Sequence, residues 1–154
     1  MKEVHLIVVG KLKEKKILEL EADYLKRVKD FSIHIHEVKG GNHDVDQEGL
    51  LVEKKIASLA SLTKSKPEIY LLSEWGEMKT SSEFSKDLYA CFEQNDLVYF
   101  LIGGAAGHGE KVLALRHKKL SMGKMTYPHK LARLLFVEQL YRAETIRTGH
   151  PYHK

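Results

Sequence analysis

"LVYFLIGGAAGHG" occupies residues 97–109. Its first six positions are apolar without alternation. Such a run, ended by glycine, marks a strand covered on both faces, and strands of that kind belong to parallel sheets. The second half places four glycines within seven residues and no lysine to close the loop. In an open α/β sheet, ligands bind where a strand delivers its loop toward a helix. The usual phosphate loops do not fit: "GAAGHGEK" from Gly104 lacks the G-x-x-x-x-G-K-[ST] frame, and a dinucleotide fingerprint would follow the first strand. Two readings of the turn remain. It is a plain strand-to-helix turn requiring positive φ, or its missing Cβ atoms let main-chain groups approach a flat ring such as a purine.

The rest of the chain alternates around this strand. Residues 4–9 are another near-continuous apolar run, and residues 14–29 have the charged and apolar spacing of an amphipathic helix. "SIHIHEV" has a period of two, with Ile33, Ile35 and Glu37 on one face and Ser32, His34 and His36 on the other, as in a strand near a sheet edge. "GGNHDVD" reads as a loop and residues 46–62 as a helix. Pro67 opens a strand through "EIYLLS", followed by "LLSEWGE" as a loop. Thr80 and Glu83 have capping-box spacing for a helix to about Glu93. A short helix near 110–117, an extended piece in "KLSMGKMTY", and a final helix with Pro128 at its first position complete the pattern. This predicts one α/β domain over residues 1–154, a mostly parallel sheet with helices on both faces.

The composition is globular, 43% hydrophobic and 30% charged, and the longest apolar runs are too short to span a bilayer. "GKLKEKK" stands where a signal peptide would need small residues, so the start reads as a strand and the expected location is cytoplasmic. The single cysteine, Cys91, excludes a disulfide framework. Charge is uneven: residues 111–154 hold ten Lys/Arg against Glu138 and Glu144, interleaved with Tyr127, Tyr141 and Tyr152. A basic segment with rings suits RNA, although solvated basic faces without a partner are also common. In the last helix, "LARLLFVEQLY" is apolar on more than one stripe. That implies a second cover, either an isologous partner or a central place within one subunit. His34 and His36 have no third ligand in view, and no metal is expected.

"LIGGAAG", "LSMGKMTYPHKLARLLFVEQLYRA" and the terminal "HPYHK" together resemble the RlmH family. These are SPOUT-class methyltransferases that methylate N3 of a pseudouridine in helix 69 of 23S ribosomal RNA. The resemblance runs along the whole chain. It implies an α/β trefoil knot in the C-terminal third, S-adenosylmethionine as cofactor, a homodimer, and 23S rRNA in the ribosome as partner. It also implies cofactor contacts from Leu72, Gly103, Met122, Gly123, Lys124, Met125, Thr126 and Tyr127. Ala105 and Ala106 are smaller than usual for the family, and Ser73-Glu74-Trp75 replaces a more acidic loop start. The chemistry then needs a base ring in line with a methyl group and help in losing the N3 proton. His129, at a helix start that disfavours imidazolium, is a candidate base, or alternatively a capping residue. Arg142 is a candidate for a phosphate or uracil carbonyl, or alternatively pairs with Glu138. Tyr152 and His153 are candidates to close over the base from the tail. An idle RNA-binding module on the same fold and a flavodoxin-like mononucleotide protein are the rival readings.

Overall fold

The computed structural model describes residues 1–41 and 44–154. Of the expected loop "GGNHDVD", Asn42 and His43 lie outside them. The described residues form β1 (Glu3–Val9), α1 (Lys15–Arg27), β2 (Ser32–Val38), α2 (Val45–Ala60) and β3 (Glu68–Met78). They continue as α3 (Ser81–Asn95), β4 (Leu97–Ile102), α4 (Glu110–Leu113), β5 (Lys118–Ser121) and α5 (His129–Thr148). All strands run parallel in the order β2-β1-β4-β3-β5.

The apolar run that opened the sequence is the centre of this sheet. All six residues of β4 are buried, between β1 and β3. Its side chains alternate between two cores. Val98, Phe100 and Ile102 join Val4, Leu6 and Val8 of β1 beneath α3 and α5, with Tyr24 and Leu25 of α1 packed alongside. Leu97, Tyr99 and Leu101 join Ile7 and Val9 beneath Val52 of α2 and Val112 of α4. A strand apolar at every position is the expected result of burial on both faces. β2 is an edge strand, as its alternation predicts, and β5 is the other. Thr80 and Glu83 form the capping box of α3 in both directions, at 3.1 and 2.8 Å.

Several boundaries differ from expectation. "SEWGEM" is strand, not loop: β3 continues to Met78 beside β5, with a register shift between Leu72 and Glu77. Gly76 permits this, since a Cβ there would lie 2.7 Å from the main chain of Leu120. α4 is a single turn, shorter than expected. Pro128 caps α5 in extended backbone and does not occupy its first helical position.

α5 owes most of its apolar character to its own subunit. It packs against α1, α3 and β4, and Phe136, Val137 and Leu140 are fully enclosed. Only a narrow outer stripe remains, with Leu131 39% and Leu135 43% exposed. The helix is also fixed by an internal charge cluster. Arg133 donates to both Glu21 carboxylate oxygens at 2.7 and 2.8 Å and to Glu37 at 2.7 Å. Arg133 and Glu21 are 6% and 4% exposed, so this bidentate pairing offsets the cost of removing both charges from water. Glu37 also accepts from the Leu12 N–H, tying β2, the turn after β1 and α5 together.

Candidate cofactor cleft and C-terminal tail

A cleft of about 940 Å³ opens at the carboxyl end of β4 and beside the register shift of β3 that follows Leu72. Its three walls come from Leu72 to Trp75, from Gly103 to His108, and from the segment between β5 and α5. These are the strand ends at which open parallel sheets bind ligands. Leu72, Ile102, Leu120, Met122 and Ala132 supply an apolar lining. Of the expected cofactor residues, Leu72, Gly103, Met122, Gly123, Met125, Thr126 and Tyr127 all line the cleft. Lys124 does not; it is exposed beside it.

The glycine turn is built by its own main chain. Gly107 donates its N–H to the Gly104 carbonyl at 3.0 Å and has φ of +85°. A Cβ on Gly103 would lie 2.4 Å from the Gly107 carbonyl oxygen. Glycine is therefore needed there for closure of the turn, whatever the turn goes on to hold. Residues 124–127 differ: among the described residues, their main chain has no main-chain hydrogen-bond partner. An apolar slot edged by such free N–H and C=O groups fits a nucleoside, whose ring edge needs polar partners and whose faces need apolar ones.

His108 was not singled out by the sequence reading. Its Nε2–H donates to the Leu72 carbonyl at 2.9 Å, bridging two walls of the cleft. Burial holds this imidazole below its usual range, against the opposing pull of that hydrogen bond, so the ring is neutral at pH 7. The only sequence signal was a histidine inside a glycine turn, which by itself specifies no partner.

The four proposed catalytic residues do not meet within one chain. His129 stands exposed at the cleft, its Nε2 3.2 Å from where a Cβ on Gly10 would sit, so glycine gives the ring its room. Arg142 lies 13 residues further along α5, roughly 20 Å away at 1.5 Å per residue. There it takes the i,i+4 alternative, donating to Glu138 at 3.0 and 2.7 Å. That carboxylate holds the guanidinium firmly charged. The tail folds back onto this pair: the Tyr152 hydroxyl donates to Glu138 at 3.0 Å, and Arg142 Nη1 donates to His153 Nδ1 at 3.1 Å. The Tyr152 ring lies 4.8 Å from both the Arg142 guanidinium and the Tyr141 ring, so its stacking surface is already engaged. Burial, then contacts with Tyr24 and Glu138, push its phenol well above the ordinary range.

The basic C-terminal third is likewise partly spent. Arg133 is internal, Arg142 is paired, Lys130 meets Glu14, and Lys118 meets Glu68. Among the described residues, Lys111, Arg116, Lys119 and Lys124 make no ion pair. Lys119 lines the cleft.

A parallel α/β sheet with a ligand-sized cleft at the ends of its central strands suits the SPOUT class of methyltransferases, and the class itself is shown by similarity. Residues 1–153 match the family described as "Predicted SPOUT methyltransferase", and the chain belongs to that family. It is 34% identical to "Ribosomal RNA large subunit methyltransferase H" of Enterococcus faecalis over 98% of this chain and 99% of that protein. The proteins of the same name from Bacillus pumilus and Listeria monocytogenes are each 36% identical over the same shares.

Proposed function

We propose that this protein is a cytoplasmic, single-domain, homodimeric enzyme that methylates N3 of a pseudouridine in helix 69 of 23S rRNA, using S-adenosylmethionine. The observation that carries the reading is the cleft: its position, apolar lining and free main-chain groups suit an adenosyl ligand, in a chain similar throughout its length to ribosomal RNA large subunit methyltransferases. The family's knotted threading of the C-terminal third is part of the same proposal. No helix among the described residues is long and apolar enough to cross a membrane, which fits a ribosomal substrate.

When bound, S-adenosylmethionine supplies a sulfonium methyl that is already electrophilic. The protein's task is to place N3 in line with it and to remove the N3 proton. Leu72, Ile102 and Met122 would clasp the adenosyl group, with the main chain at Gly103 and at Met125 to Tyr127 reading its polar edge. His129 is the exposed histidine of the cleft and the candidate to accept that proton; His108, also on the lining, is engaged with the Leu72 carbonyl. Lys111, Arg116, Lys119 and Lys124 offer unpaired charge to the RNA backbone.

The position of the tail supports the homodimer in this reading. Arg142, Tyr152 and His153 stand too far from their own cleft to act there, and a twofold partner can bring them to it. Leu131, Leu135 and the exposed Met78 and Tyr127 are the apolar residues such a partner would cover. Leu135 also borders a second, smaller hollow of about 380 Å³ with Met78, Phe84 and Phe136.

The deciding experiment is transfer of labelled methyl from S-adenosylmethionine to ribosomes lacking this modification, followed by mapping of the base. Label on a helix 69 pseudouridine is expected. Cofactor binding without transfer would favour the idle RNA-binding module, and label elsewhere would reassign the substrate.

A further inference from the structure

At the end of the sheet away from the cleft, β1 and β2 bring together residues that lie far apart in sequence. His5 and His34 are directly paired across the parallel ladder, and Ile7 is paired with His36. Their side chains share the face of β1 that carries Ile7 and Val9, beside the Tyr99 ring. The His5 ring stacks on His34 at 4.9 Å and on His36 at 5.1 Å. Glu3 reaches the same place, its Oε2 3.2 Å from His5 Nε2.

From this arrangement we infer a binding site for one divalent transition-metal ion, of the Zn²⁺ type, ligated by Glu3, His5 and His34. One ligand atom from each of the three lies within 4.8 Å of the others. Donors about 2.0–2.1 Å from a tetrahedral Zn²⁺ stand about 3.3 Å from one another, so the Glu3–His5 separation already matches and His34 needs a small side-chain adjustment. Two imidazoles and a carboxylate are a borderline donor set, suited to Zn²⁺, Co²⁺ or Ni²⁺ and poor for Mg²⁺ or Ca²⁺. His34 is exposed, which leaves a fourth position open to water.

The second ring nitrogen of His5 strengthens the case. His5 Nδ1 is 2.9 Å from His36 Nε2. With Nε2 toward the metal, Nδ1 carries the hydrogen and donates it to His36. Protein metal sites orient their histidines in this way, through a hydrogen bond at the far nitrogen. Lys55 on α2 lies within electrostatic reach of His36 and disfavours positive charge there. A purely structural cluster would also be held by the His5–His36 bond and the Glu3 contact, so measurement must separate the two. Bound metal would pin edge strand β2 to β1 far from the cleft, through contacts that the methyl-transfer chemistry does not use.

The test is calorimetric titration of the full-length protein with Zn²⁺ in non-chelating buffer, alongside Co²⁺ absorption in the visible. We expect one Zn²⁺ per chain, with affinity falling at least about tenfold in Glu3→Gln and in His34→Gln, and about tenfold in the orienting variant His36→Gln. Zn²⁺ should raise the thermal midpoint of the wild type and not that of Glu3→Gln/His34→Gln, whose far-UV spectrum stays native because both positions are solvent-accessible. Absence of binding by the wild type at about 1 mM Zn²⁺, the weakest range of specific affinity, overturns the site. So does a stoichiometry and affinity that survive in the double variant, since the ion then sits on other histidines.

Discussion

A side chain on Gly103 collides with the Gly107 carbonyl before it can reach any ligand in the cleft. Gly103→Val should therefore cost both cofactor affinity and stability, by roughly 2–3 kcal/mol as an overpacked and strained turn. The exposed Ala106 on the cleft wall separates the two effects. Ala106→Phe should abolish S-adenosylmethionine binding in calorimetry while leaving the thermal midpoint unchanged; full affinity in that variant would remove the glycine turn from the cofactor site. His108 gives a second check at this scale. Its folded imidazole is held below the unfolded value near 6.5 by burial. As pH falls below about 6.5 the unfolded chain takes up this proton first, so stability is present above that pH and declines as acid is added. Denaturant midpoints of wild type between pH 7.5 and 5 should fall more steeply than those of His108→Asn, and parallel curves would mean that the Leu72 bridge does not depend on a neutral ring.

α5 combines signals that the sequence shows together but does not separate. Its apolar excess is plain, yet the helix is sandwiched between α1 and α3, so Val137, 0% exposed, faces inward and only Leu131 and Leu135 face out. Arg133 reads as one more cation of a basic third until its partners Glu21 and Glu37, about a hundred residues earlier, are seen. Removing one member of such a pair strands the other charge. Glu21→Leu should destabilise the protein by about 3–5 kcal/mol, whereas Glu21→Leu/Arg133→Met should recover most of that loss in urea melts. Equal stability of the single and double variants would show that the cluster contributes packing and no electrostatics. What was legible is what depends on local pattern: β4, the α3 capping box, the edge character of β2, and two of the cleft's walls as loops, the third at Leu72 to Trp75 being strand. What was not legible depends on pairing across the fold. His108 meets Leu72, Gly76 meets Leu120, and His5 meets His34 only because the sheet order brings β3 to β4 and β5, and β1 to β2.

At the scale of the whole molecule the problem is distance. His129 stands at the start of α5 and the Glu138–Arg142–Tyr152–His153 cluster several turns further along it, the tail's ring faces and polar atoms already occupied. An isolated chain built this way has a cleft without a clamp and a clamp without a cleft. If a twofold partner supplies the missing half, Leu135→Asp should yield a monomer in sedimentation and abolish methyl transfer, while the buried Val137 is the wrong position for that test because a charge there unfolds the subunit. Deleting residues 152–154 should leave S-adenosylmethionine binding and dimerisation intact and still remove activity. His129→Ala should keep dimerisation and lower turnover by roughly 10²–10⁴, the usual loss on removing a general base. Each of these two chains is deficient alone, but in opposite halves of the site. When they are unfolded and refolded together in equal amounts, half the dimers are mixed, and each mixed dimer holds one cleft with His129 facing one intact tail. The mixture should therefore regain about a quarter of wild-type activity per site, as the statistics of a two-site symmetric dimer require. Recovery at that level shows that the active site is shared between subunits. No recovery, with mixed dimers present by mass spectrometry, places the tail's action within its own chain and requires it to leave Glu138 and travel the length of α5.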